Sequence, residues 1–185
     1  MEADKQNEIG APVSELTQRL AAVRLLALDV DGVLTDGRIR YVDDRELMQF
    51  DVKDGLGLVR LRRVGIRLAW ITGRGCDATR RRAEELKVDE LHMQSGPKAE
   101  VLARVQERLG VGPSETLAMG DDLPDLELAS LAGLLVTPAD AVRELRERAD
   151  IVTKAAGGHG AVREVADQIL AARAAVGLEA DGATG

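Results

Sequence analysis

Apolar and polar positions follow two rhythms along this chain. Short apolar runs at Leu25–Val30, Ile66–Ile71, Glu90–Met93, Thr116–Met119, Leu134–Val136 and Ile151–Thr153 have the length and composition of buried strands. Between them, residues 76–86, 98–109, 123–131 and 138–148 carry apolar side chains at helical spacing, and Val162–Leu170 continues the pattern as a closing amphipathic helix. Strands alternating with helices predict an α/β domain: a Rossmann-like, doubly wound parallel sheet covered on both faces. Such sheets bind ligands beyond the carboxyl ends of their strands. One segment breaks the rhythm. "GRIRYVDDRELMQF" holds two short alternating runs around "DDRE" and predicts a β-hairpin insertion. Residues 1–20 are expected to be an N-terminal extension, 21–174 a single domain and 175–185 a flexible tail. Order is expected to be poorest over 1–12 and 175–185.

Composition narrows the class. The 185 residues suit one domain with a sizeable core. Aromatics are only 2%, namely Trp70, Tyr41 and Phe50, so that core is aliphatic. A net charge of −7 argues against a nucleic-acid partner, whose phosphates need a basic face. The lone Cys excludes an internal disulfide framework and fits a reducing compartment. No apolar run approaches the roughly 18 residues of a membrane span. "MEADKQNEIG" is too acidic and polar for a secretory leader. The expectation is a cytoplasmic protein with no membrane partner.

Candidate chemistry clusters just after four strands. Asp29-Val30-Asp31-Gly32 ends the first, Thr72-Gly73-Arg74 the second, Lys98 follows the third, and Gly120-Asp121-Asp122 with Asp125 follows the fourth. Each motif alone is equally a turn, a helix cap or a solvated residue. In a doubly wound sheet all four face one crevice, and that convergence argues for a site. Gathered carboxylates repel one another and call for a cation, and an all-oxygen set favours Mg²⁺. Thr72, Lys98 and backbone N–H groups suit phosphate oxygens. A carboxylate can attack phosphorus directly, and a second one two residues on can serve as acid and then base.

These motifs resemble those of the haloacid dehalogenase superfamily of aspartate-nucleophile phosphatases. "DVDGVLTDG" resembles its first motif, "ITGR" its second, Lys98 its third and "GDDLPD" its fourth. The resemblance implies Asp29 as nucleophile, Asp31 as general acid/base, and Thr72, Gly73 and Lys98 on phosphate. It implies Mg²⁺ held by the Asp29 side chain, the Asp31 backbone carbonyl and Asp121, with Asp122 and Asp125 supporting the site from behind. "FDVKDGLGL", the short spacers and "GGHGAVREV" further resemble the group that hydrolyses 3-deoxy-D-manno-octulosonate 8-phosphate, an eight-carbon sugar-acid phosphate on the way to lipopolysaccharide. That group lacks a cap domain and forms homotetramers in which a neighbour closes the site. The intervals from Asp31 to Thr72 and from Thr72 to Lys98 independently leave room only for a hairpin and single helices. The resemblance also implies substrate contacts at Asp51, Val52, Lys53, Asp54, Gly55, Arg74 and Arg82.

Three positions depart from the group: Val59 where Arg is usual, "QSGPK" before the lysine, and His159 in "GGHG". They leave the sugar open. The alternatives are a nine-carbon, sialic-acid-type phosphate or a broad range of small phosphates. A non-catalytic scaffold that kept the fold is the reading of another class. Asp36 is expected to be a turn residue, Cys76 a helix-end bystander, Trp70 core, and Arg80 and Arg81 part of a solvated face. Asp54-Gly55 either caps the next helix or touches substrate.

Overall fold

A computed structural model describes residues 13–43 and 45–178. Six parallel strands form one sheet in the order β5-β4-β1-β6-β7-β8. They are β1 (Leu25–Leu28), β4 (Arg67–Ile71), β5 (Glu90–His92), β6 (Thr116–Met119), β7 (Leu134–Thr137) and β8 (Ile151–Val152). β2 (Arg40–Val42) and β3 (Arg45–Leu47) form a separate antiparallel hairpin, in the expected place. Central β1 pairs with β4 through Leu25↔Arg67 to Leu28↔Trp70, and with β6 through Leu25↔Thr116 to Leu28↔Met119.

Both faces of the sheet are buried, which is why its strands are apolar throughout rather than alternating. Leu26, Leu28, Leu68, Trp70, Leu117 and Met119 point to one side. There they meet α1 (Glu15–Ala21), α2 (Val52–Arg63), α3 (Asp77–Leu86) and α7 (Ala161–Ala175). Ala27, Ala69, Ile71 and Ala118 point to the other side, against α4 (Lys98–Leu109), α5 (Leu126–Ala129) and α6 (Arg143–Arg146). Phe50, at the exit of the hairpin, stacks on Trp70 with ring centroids 6.3 Å apart.

Several element bounds differ from the sequence expectation, each for a local reason. Residues 123–131 begin as a 3₁₀ turn, Leu123–Asp125, before the short α5, because Pro124 lies in the first turn and Asp122 caps it. Of the stretch 138–148 only α6 is helical. Its first residues are drawn elsewhere: Ala139 N–H donates to the Ala155 carbonyl, Val142 N–H to the Asp121 carbonyl, and the Asp140 carboxylate accepts Gly157 N–H. Helix α1 has no counterpart in the expected pattern and straddles the boundary expected at residue 21. Ser14 caps it, and Leu20 and Ala21 are buried in the core shared with α7. Residues 1–12 and 179–185, where loose ends are expected, lie outside the described residues. Among the described residues no helix is long and apolar enough to cross a membrane.

Candidate active site

β1 stops at Leu28 because the next residues must turn. Asp29 N–H still bonds the Met119 carbonyl of β6 (2.9 Å), which fixes the carboxylate at the strand's end. The Val30 carbonyl then accepts the N–H groups of Leu34 (2.9 Å) and Thr35 (3.2 Å), folding the loop back on itself. Gly32 adopts φ +87° inside this loop. A Cβ there would lie 2.0 Å from Asp121 Oδ2, so only glycine lets the first and fourth motifs approach.

The other motifs arrive from neighbouring strands. Thr72 N–H bonds the His92 carbonyl at the end of β5 (2.9 Å), its hydroxyl donates to Asp31 Oδ2 (3.1 Å) and accepts Arg74 N–H (3.1 Å). Lys98, at the first position of α4, is buried. Its Nζ lies 2.9 Å from Asp29 Oδ1 and 2.5 Å from Asp125 Oδ1. Asp125 uses its second oxygen to accept the N–H groups of Asp121 (2.9 Å) and Asp122 (3.2 Å). Asp122 in turn accepts Leu123 N–H (2.7 Å). Asp29, Asp31, Thr72, Gly73, Arg74, Lys98, Asp121, Asp122 and Asp125 thus line one cleft of about 210 Å³.

Charge is unbalanced in this cleft. Burial, then the neighbouring Asp125, push Asp29 up to about 6 although Lys98 pulls it down. Burial, then Asp29, Asp125 and Asp122, push Asp121 up to about 7. Burial alone would lower Lys98, but Asp29 and Asp125 outweigh it and hold the ammonium charged. Asp29, Asp121 and Asp125 each place a carboxylate oxygen within 4.8 Å of the others. Both oxygens of Asp125 are committed to Lys98 and backbone N–H groups, so Asp29 and Asp121 are the two carboxylates that fit a hard divalent cation.

This carries a prediction. Both carboxyls hold protons above their ordinary value of 3.8, so the folded chain binds more protons than the unfolded one between that value and about 7. Without a cation, stability therefore falls as pH rises through this window. A cation takes the place of those protons. Calorimetry is expected to show a larger Mg²⁺-induced rise in Tm at about pH 8 than at about pH 5. Equal rises at both would mean that these two carboxylates do not hold the ion.

The substrate-facing residues implied by the resemblance do not all reach the cleft. Arg74 does, and its guanidinium also spans both Glu46 oxygens on β3 (3.1 and 3.2 Å). Asp51 caps α2 by accepting Lys53 N–H (2.7 Å). With Val52, Asp36, Phe50, Gly158 and His159 it lines a separate hollow of about 300 Å³. Lys53 lies in a third, open groove with His159 and Arg163. Arg82 pairs with Glu85 (2.8 Å) and packs over Gly55. Asp54 is 1% exposed, and its carboxylate is turned to the start of α7, accepting Arg163 N–H (2.7 Å) and Gly160 N–H (3.3 Å). The structure thus gives Asp54 a cap after all, but on α7 rather than on its own helix.

Two residues that sequence reasoning passed over help to build the cleft. Ser95 donates both its N–H and its hydroxyl to the Thr72 carbonyl (3.1 Å each). It belongs to the departing "QSGPK" stretch, which was the available signal. Glu46, the partner of Arg74, sits in a hairpin whose alternation gave no hint of a site.

Comparison with known proteins shows the family. The family model for haloacid dehalogenase-like hydrolases matches residues 90–165, which include Lys98 and the 120–125 loop. The chain is 40% identical over 164 residues to the 3-deoxy-D-manno-octulosonate 8-phosphate phosphatase KdsC of Escherichia coli K12, covering 88% of this chain and 87% of that protein. The crystal structure of the phosphatase of the same name from Yersinia pestis superposes with a TM-score of 0.84 at 39% identity, covering 88% of this chain and 89% of that one. That from Moraxella catarrhalis, in complex with a magnesium ion, a phosphate ion and a KDO molecule, also gives 0.84 at 39% identity, covering 86% and 92%. The chain is a haloacid dehalogenase-like hydrolase, and within that class it belongs to the 3-deoxy-D-manno-octulosonate 8-phosphate phosphatase family.

Proposed function

We propose that this chain hydrolyses 3-deoxy-D-manno-octulosonate 8-phosphate to the free sugar acid and phosphate. The observation that carries the reading is the convergence of Asp29, Asp31, Thr72, Lys98 and Asp121, from separate strand ends, on one cleft. Asp29 attacks phosphorus as Asp31 protonates the departing sugar oxygen, leaving an aspartyl-phosphate. Asp31, now a carboxylate, takes a proton from water, which opens the aspartyl-phosphate and frees Asp29. The Thr72 hydroxyl, 3.1 Å from Asp31, orients that carboxylate and turns to a phosphoryl oxygen with the Gly73 backbone. Lys98 balances the charge of Asp29 and the phosphoryl group. Asp29, Asp121 and the Asp31 carbonyl would hold Mg²⁺, which supplies charge neutralisation and a fixed phosphate oxygen. Asp122 and Asp125 orient Asp121 and Lys98.

The sugar acid extends from the cleft past Arg74, whose planar fork suits a carboxylate. Asp51, Val52 and Lys53 border the neighbouring hollows, Arg82 lines another beside Met48 and Phe50, and Gly55 lies beneath the Arg82 guanidinium. Between β1 and β4 the described chain holds only the hairpin and α2, so water exclusion falls to a second copy of the chain. Exposed Ile39, Tyr41, Val42 and Leu47 on the hairpin support a homo-oligomer, with a tetramer as the expected form. The free Cys76 suits the cytoplasm.

The test is phosphate release with Mg²⁺ across a panel of the eight-carbon substrate, a nine-carbon sialic-acid-type phosphate and small aryl and sugar phosphates. The highest kcat/KM is expected for the eight-carbon substrate, in an oligomer identified by active-enzyme sedimentation. A higher kcat/KM for another member would replace the substrate assignment, and full activity in a sedimenting monomer would remove the role of assembly.

A further inference from the structure

Among the described residues, Asp54 is the most deeply buried carboxylate outside the cleft, and the mechanism does not use it. Its own helix does not need it, since Asp51 caps α2. Asp54 instead reaches across the fold to α7, where Oδ1 accepts Arg163 N–H and Oδ2 accepts Gly160 N–H. These bonds fasten the turn formed by residues 157–160. Three of its four residues are glycines, so its backbone has unusual freedom to move unless something clamps it.

That turn lies directly on the loop that carries Asp29 and Asp31. A Cβ on Gly157 would sit 1.8 Å from the Gly32 carbonyl oxygen, so the two backbones touch. Gly158 N–H donates to the Val33 carbonyl (2.9 Å). Asp140 holds Gly157 N–H from the far side (2.9 Å). A continuous line of contacts therefore runs from Asp54 through the 157–160 turn to Gly32 and Val33, next to the two reacting aspartates.

We propose that Asp54 is a positioning residue for the nucleophile loop, clamping the glycine turn that presses residues 32–35 into place. The proposal rests on the phosphatase reading of the cleft. Asp54 touches no substrate. Removing its clamp loosens the aim of Asp29 and Asp31 whatever group the phosphate carries, and misplacement by a fraction of an ångström is enough to slow an in-line attack.

The test is Asp54→Asn in the full chain with Mg²⁺. The amide keeps the shape but turns an NH₂ toward a backbone donor. Rates are measured with the eight-carbon sugar-acid phosphate and with p-nitrophenyl phosphate, normalised to folded protein. The expected result is a kcat lower by about tenfold or more for both substrates, by the same factor, with KM unchanged. Amide hydrogen exchange is expected to quicken at residues 32–35 as well as at 158–163. A raised KM for the sugar-acid substrate alone would overturn the proposal in favour of direct contact. So would unchanged kcat, or faster exchange confined to α7. Wild-type protein that hydrolyses neither substrate would refute the functional reading, while the exchange experiment would still decide the coupling.

Discussion

Asp29→Asn will abolish phosphate release while the protein still folds. The carboxylate is the only group at the end of β1 that combines a lone pair aimed into the cleft with a neighbouring ammonium, 2.9 Å away. An amide of the same shape keeps the packing but has no nucleophilic oxygen of comparable basicity. Loss of the nucleophile in a covalent mechanism is expected to lower kcat on the order of 10⁴-fold or more. Folding should survive, because the Asp29 N–H bond to Met119 belongs to the backbone and because burial disfavours the ionised acid in the first place. Stability against denaturant, measured beside turnover, separates the two effects. Turnover within about tenfold of wild type would remove Asp29 from the nucleophile role.

Lys98→Met tests the other half of the pair and should cost both rate and stability. The ammonium is buried between two carboxylates, and methionine replaces its stem without its charge. Asp29 and Asp125 would then face each other in a water-poor site with no counter-charge. Removing one partner of a buried ion pair costs about 3–5 kcal/mol, which is a large share of a domain's stability. Urea unfolding in Mg²⁺-free buffer near neutral pH should show a loss of that order. Asp29 is already raised to about 6, and losing Lys98 raises it further. Protonation then neutralises it at lower pH, so the deficit should shrink as pH falls. A deficit that stays constant across pH would point to packing rather than charge.

The strands and the four strand-end motifs were legible in the sequence because both are local signals. A buried parallel strand is a short apolar run, and a motif placed just after it must lie at the sheet's carboxyl edge. The hairpin was legible for the same reason, through alternation around a polar turn. What escaped was decided across the fold. Helix α1 spans only Glu15–Ala21, too short for periodicity to declare it. The start of α6 is claimed by bonds to Asp121 and Ala155, which no local preference announces. Asp54 looked like a cap for its own helix or a substrate contact, but its partners lie 106 and 109 positions away. The strand-end convergence brings Lys98 to the crevice, but its buried double pairing with Asp29 and Asp125 is visible only in the structure, since a lysine opening a helix is ordinarily solvated.

The placement of α7 has a consequence for how the protein is born. Helix α7 covers the same side of the sheet as α1 and α2, and the turn before it touches the loop after β1. A nascent chain that has emerged only as far as β8 already contains every side chain proposed to react. It still lacks the helix that seals Leu58 and Leu61 from water and the brace that aims Asp29. Such long-range closure slows folding and leaves apolar surface open until α7 has been made. Activity is therefore expected only once α7 has left the ribosome and docked.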